Sequence, residues 1–316
     1  MPARAVIVAG SSGTANTTST GAGAGWDYTG TVLFSSGSFN ASGVYLGSYG
    51  GSYWVLTADH ITGSLPGYGA GLGSFELGGF DYDFSGSAIR ITSSDLGNAD
   101  LVVVRISSTD SAATSYLSSL SNLTLATTSN LGSSVKMIGN GLDRSASTTT
   151  YFADTDTSPF TWSTTIQPGS DTTATGYTET STNIKRWGTN TADSTSTEDA
   201  GFGNTHVVIT DFDNSNGEAQ VALGDSGGGV FLGNSSTLTG ILLYDLTFNG
   251  QPGNTAIFGN ETAYADISAY RSDILSVIPE PGSVGLFVLG GLTVGAMLFH
   301  HRGFFARRRE NESRSA

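Results

Sequence analysis

The chain has 316 residues, 38% hydrophobic and 13% charged, with 44 glycines and no cysteine. It is apolar enough to bury a core, which excludes a chain disordered throughout, and the missing thiols exclude disulfides, thiolate chemistry and zinc–sulfur sites together. The formal net charge is −14, and residues 1–279 hold 8 Lys and Arg against 24 Asp and Glu, so the body repels phosphate backbones and nucleic acid is not an expected partner.

Taken in chain order, residues 1–25 open on MPARAVIVAG, whose apolar run Ala5 to Ala9 is shorter than the core of an export signal, and continue into SSGTANTTSTGAGAG, a low-complexity linker by composition. Short runs bounded by Gly, Ser, Asn or Asp then predict strands: TVLF at 31–34, GVYLG at 43–47, YWVLTA at 53–58, SAIRIT at 87–92 and LVVVRI at 101–106. A second series follows, with SVKMIG at 134–139, HVVITDF at 206–212, QVAL at 220–223, GVFLG at 229–233, LTGILLY at 238–244 and TAYADI at 262–267. Between the two series, residues 142–204 are rich in Ser, Thr and Asp and read as a surface excursion, partly stranded at YFAD and FTWSTTI. Ser268 to Val277 predicts a short helix capped by Ser268. Two series of about six strands point to an all-β fold, either a double barrel or a large sandwich.

The chemistry concentrates at Gly224-Asp225-Ser226-Gly227-Gly228-Gly229, between two apolar runs. A serine hydroxyl is a poor nucleophile until a base takes its proton, and a histidine base works best when a carboxylate fixes its tautomer. Only four histidines occur, at 60, 206, 300 and 301, so a metal site built on several of them is not expected and no cofactor is implied. His60 ends the strand-like YWVLTADH, a position from which catalytic side chains commonly act. His206, leading into HVVITDF, is the alternative base with no special claim. Asp100 precedes the apolar run Leu101 to Val104, which carries its carboxylate to the edge of a core, where it needs a partner.

In order, WVLTADH, NADLVVV and GDSGGG resemble the His, Asp and Ser blocks of trypsin-like serine proteases, and the resemblance covers roughly residues 26–277. It implies a chymotrypsin-like double β-barrel with a short C-terminal helix, and a serine endopeptidase acting on protein or peptide substrates. Ser226 is then the nucleophile, His60 the general base and acid, and Asp100 the group that orients the imidazole, with the N–H groups of Gly224 and Ser226 forming the oxyanion hole. The specificity pocket falls at Gln220, with Leu243 and Tyr244 along its wall; lacking an acid at its floor, it implies a neutral or apolar substrate side chain. Asp59 departs from the family's usual small residue before the histidine, and either acts on His60 or points to solvent. Gly229 stands where the family usually has proline. The alternative is a catalytically weak or inactive surface or matrix protein on the same scaffold.

From Ser283 to Phe299 the chain runs seventeen residues without a charge and ends in HHRGFFARRR, which predicts a single hydrophobic C-terminal helix crossing a membrane with its arginines on the cytoplasmic side. With Pro279-Glu280-Pro281 ahead of it, the segment 278–316 resembles the PEP-CTERM sorting signal of Gram-negative bacteria. That resemblance implies export, a processing enzyme of the exosortase type, and a cell-surface or extracellular-matrix destination. Export also leads us to expect the true start of the chain upstream of Met1.

Overall fold

The computed structural model describes residues 6–10, 15–35, 40–63 and 72–278. Six strands close into an antiparallel barrel in the order Thr29–Phe34, Asn40–Tyr49, Ser52–Thr57, Gly97–Ser107, Phe80–Ser93 and Leu72–Leu77, the last returning to the first. Val32, Val44, Leu56, Phe75, Ile91 and Val103 are fully buried in it. The run Asp100 to Val104 is buried without alternation because the strand has cover on both faces: its core also takes in Val207, Ile209, Tyr270 and Ile274 from the second half.

The second half is an eight-stranded sheet, ordered Arg186–Thr191, Ser134–Gly139, Gly229–Leu232, Thr237–Leu246, Glu261–Asp266, Thr205–Asp211 and Ser194–Glu198, with Thr124–Leu125 added in parallel beside Thr237–Leu246. The sheet curls until its ends approach: Asn190 Nδ2 donates to the Asp211 carbonyl at 2.6 Å and to the Ala219 carbonyl at 2.9 Å. Val135, Met137, Val208, Val230, Leu242 and Tyr264 fill the concave side.

The excursion expected over 142–204 is not all surface. Arg186–Thr191 and Ser194–Glu198 belong to the main sheet, and only the earlier part forms an accessory sheet of Leu142–Arg144, Thr149–Asp154, Thr161–Ser163 and Thr172–Asn183, joined by Thr255–Ile257. Ahead of the expected linker the chain is packed, while residues 15–24 of the linker itself are mostly exposed. Val6 to Ala9 are fully buried, Ile7 and Val8 pair with Gln220 and Ala219, and the Asn16 carbonyl accepts from Trp187 N–H at 3.0 Å. Of the predicted strand QVAL, only Gln220 is in a strand, so the next three residues are free to turn into the serine loop.

Among the described residues, two helices longer than a single turn flank this body. Ser111–Ser119, absent from the sequence reading, is capped by Asp110, whose carboxylate accepts from Ala112 N–H at 2.8 Å. The C-terminal helix Ile267–Val277 buries Ile267, Tyr270 and Ile274, and its cap is Asp266 rather than Ser268. The Asp266 carboxylate accepts both the Ser268 N–H and its hydroxyl, at 2.9 and 2.7 Å, because a carboxylate at that position reaches two donors of the first turn. The Pro-Glu-Pro stretch and the hydrophobic span 283–299 lie outside the described residues. Among the described residues no helix is long and apolar enough to cross a membrane.

Candidate active site

The strand register brings His60 and Asp100 together. Thr57 pairs with Val102, so His60, three residues past one strand end, faces Asp100, two residues before its neighbour. His60 opens the helical turn His60–Gly63. The Asp100 carboxylate holds it twice, accepting the His60 backbone N–H on Oδ1 at 2.7 Å and contacting Nδ1 through Oδ2 at 2.7 Å. Asp100 is 2% exposed, and its own N–H donates to Thr205 Oγ1 at 2.9 Å. A buried carboxylate in this position accepts Nδ1–H and leaves Nε2 as the basic nitrogen.

Asp59 does not point to solvent, the second of the alternatives expected for it. It is buried, receives Arg90 Nε on Oδ2 at 2.9 Å and accepts the Thr62 hydroxyl on Oδ1 at 3.1 Å. Burial raises its pKa, partly opposed by the Arg90 charge. Arg90 also donates through Nε to the Ala99 carbonyl at 3.1 Å and through Nη2 to the Phe202 carbonyl. The Phe202 ring packs on the His60 ring, with centroids 5.4 Å apart. Arg90, Thr205 and Phe202 thus surround the His60–Asp100 pair, and sequence reasoning missed all three. The one available signal was Arg90, a lone charge inside the apolar run SAIRIT.

The serine loop docks against the barrel through Ser42. Ser42 N–H donates to the Ser226 carbonyl at 2.9 Å, and Ser42 Oγ donates to the Gly224 carbonyl at 3.0 Å. Gly224 and Gly227 have φ of +96° and +85°, a region in which side chains are strained. Gly227 has a second reason to be glycine, since a Cβ there would lie 2.0 Å from Thr57 Oγ1 and 2.1 Å from the Ser42 carbonyl. Within the loop, Asp225 N–H donates to the Ala222 carbonyl and Gly228 N–H to the Asp225 carbonyl. The N–H groups of Gly224 and Ser226 have no hydrogen-bond partner among the described residues. The half-buried Ser226 hydroxyl donates to the Leu243 carbonyl at 3.0 Å.

Asp225 is fully buried, its two oxygens accepting Gly141 N–H at 2.6 Å and Ala222 N–H at 2.8 Å. Burial pushes its carboxyl up to about 8, the two N–H donors opposing the shift. A folded value above the ordinary 3.8 means that protonation favours the folded state. Its contribution to stability is therefore full below about pH 4 and lost as pH rises through about 8. Urea unfolding of the protein and of Asp225→Asn across pH 4–9 is expected to show wild-type stability declining relative to the variant over that window. A difference that stays flat contradicts this account of Asp225.

Leu243 meets Ser226 through its carbonyl, and Tyr244 follows it half-buried with an unpartnered hydroxyl. Gln220 is fully buried, and neither its Oε1 nor its Nε2 has a hydrogen-bond partner. His206 does not join the site, pairing instead through Nε2 with Asp95 at 2.8 Å. Away from the site, Asp154, Asp156 and Asp171 bring carboxylate oxygens within 4.8 Å of one another, the one such gathering among the described residues.

The fold and site define an all-β protein of a closed barrel and a curled sheet, with a His–Asp pair on the barrel and a Gly-rich serine loop docked against it. No family model matches the sequence, and no curated protein matches it. Solved structures similar to the chain include neuropsin, a serine protease of mouse brain, at 17% identity and TM-score 0.45, covering 80% of this chain and 94% of that one. A glutamic acid specific serine protease is similar at 17% identity and TM-score 0.40, covering 78% and 95%. A scabies mite inactivated protease paralogue is similar at 14% identity and TM-score 0.44, covering 80% and 93%.

Proposed function

We propose that the chain is a serine endopeptidase on a chymotrypsin-like double β-barrel, hydrolysing peptide bonds through His60, Asp100 and Ser226. The carrying observation is the His60–Asp100 pair, in which one buried carboxylate holds both the backbone N–H and the ring nitrogen of a histidine at 2.7 Å. That arrangement leaves Nε2 unprotonated for the serine. A hydroxyl has one proton, and Ser226 gives it to the Leu243 carbonyl in the resting chain, so rotation about χ1 precedes transfer to His60. Ser226 Oγ then attacks the scissile carbonyl and its proton moves to Nε2. The developing oxyanion is met by the two unpartnered N–H groups of Gly224 and Ser226, a donor of this type contributing roughly 2.7–4 kcal/mol. Collapse of the tetrahedral intermediate releases the amine, which takes the proton from His60, and water repeats the sequence on the acyl-enzyme.

The unpaired amide of Gln220 suits a pocket for a neutral side chain, with Leu243 and Tyr244 as its wall. The protein is exported, anchored by the span 283–299 and passed by an exosortase-type enzyme to the cell surface or matrix; the charge asymmetry of the sequence supports this part. The test is hydrolysis of a mixed peptide library by the full chain, with products identified by mass and Ser226→Ala as control. Cleavage lost in Ser226→Ala is the expected result, and cleavage that survives in it overturns the mechanism. The Ser226 to Leu243 hydrogen bond favours one other reading, a surface or matrix protein on this scaffold whose serine is never activated. That reading expects a folded chain with no cleavage.

A further inference from the structure

A cleft of about 370 Å³ opens between the two halves of the protein, lined by Trp26, Thr31, Glu76, Asn140 and Lys185 among others. It adjoins the serine loop through Asn140. The Asn140 side chain donates to the Gly30 carbonyl at 3.1 Å, its N–H donates to Ser42 Oγ at 2.9 Å, and its carbonyl lies 3.3 Å from the Cβ position of Gly224. Neither Gln220 nor the Leu243–Tyr244 wall contributes to it.

Lys185 is one of two lysines in the chain. Its Nζ donates to the Trp26 carbonyl at 2.5 Å and lies 4.3 Å from the centre of the Trp26 ring. It makes no ion pair among the described residues. Asp27 and Glu76 act on it only from a distance, and burial lowers its pKa to about 7 despite them. An ammonium so placed keeps donors to spare and lacks a counter-charge, the condition that an incoming carboxylate relieves.

We propose that this cleft binds the part of a peptide substrate that follows the scissile bond, and that Lys185 selects a carboxylate there. The inference rests on the protease reading for its direction but not for its test. Glu76, exposed in the same wall, limits the preference, so its removal strengthens it.

The experiment uses alanine-rich decapeptides carrying a single Glu or Gln at each position in turn. In the first arm, full-length Ser226→Ala is treated with a trace amine-acylating reagent, and acylation of Lys185 and Lys136 is read separately by mass spectrometry. Glu peptides are expected to protect Lys185 and not Lys136, while Gln peptides protect neither. In the second arm, the active chain is expected to show kcat/KM about tenfold higher for Glu than for Gln at one position after the cleaved bond. Lys185→Met brings that ratio to about one, and Glu76→Gln raises it. Protection without cleavage upholds the cleft and removes the protease reading. Cleavage with no protection and no Glu preference, or with the preference only before the cleaved bond, overturns the proposal and leaves the protease intact.

Discussion

Asp100→Asn is expected to lower kcat by about 10⁴-fold with little change in KM and no loss of fold. Both Asp100 oxygens are acceptors, one for the His60 N–H and one for its Nδ1. An amide has one acceptor oxygen and one NH₂ group. If the oxygen stays with the backbone N–H, the NH₂ faces Nδ1, forces the proton onto Nε2, and removes the base from the serine. If the amide flips, the backbone N–H at the start of the His60 turn loses its partner. Because side-chain volume is unchanged, stability should move far less than rate. Steady-state kinetics beside urea unfolding checks this, and a variant within tenfold of wild-type kcat contradicts the assigned role of Asp100.

Gly227→Ala is expected to act through geometry rather than chemistry. The added methyl would sit about 2 Å from Thr57 Oγ1 and the Ser42 carbonyl, at a φ of +85°. Thr57 donates to that same carbonyl at 2.7 Å, so neither atom yields without opening the pair of strands whose second member ends at Thr57, three residues before His60. Left-handed strain alone costs about 1–3 kcal/mol. Relief requires the loop carrying Ser226 to withdraw from the barrel, and a displacement of about 1 Å at a reacting atom costs on the order of 10²-fold in rate. The expected result is a lowered unfolding midpoint together with kcat/KM reduced by about 10²-fold or more. Unchanged kinetics in a folded variant contradicts the docking of Ser226 against Ser42 and Thr57.

What the sequence made visible is the part with local signatures. YWVLTADH and NADLVVV each combine a strand-like run with a polar residue at its end and GDSGGG is a Gly-rich turn between two apolar runs; the structure sets His60 against Asp100 and docks the serine loop on the barrel through Ser42. The strands with alternating or continuous apolar runs were legible for the same reason. Arg186–Thr191 was not, because its buried face consists of Arg186, Gly188 and Asn190, held by hydrogen bonds instead of apolar contacts. Ile7–Val8 is too short to carry a period, and its strand character comes from pairing with residues more than two hundred positions away. Phe202 reaches His60 from a loop whose course depends on Arg90 gripping its carbonyl, a contact no periodicity encodes. The cap of the C-terminal helix moved by two residues because Asp266 and Ser268 are both competent N-caps and the carboxylate takes the donors of the other.

The measurement that bears most directly on the central claim is reaction of the full chain with a fluorophosphonate probe, the labelled residue being located by peptide mass mapping. An activated serine is required for phosphonylation, and a serine held only by a carbonyl does not react. The account expects one label, on Ser226, lost in His60→Ala and strongly slowed in Asp100→Asn. A folded chain that takes no label, or takes it at another residue, contradicts it.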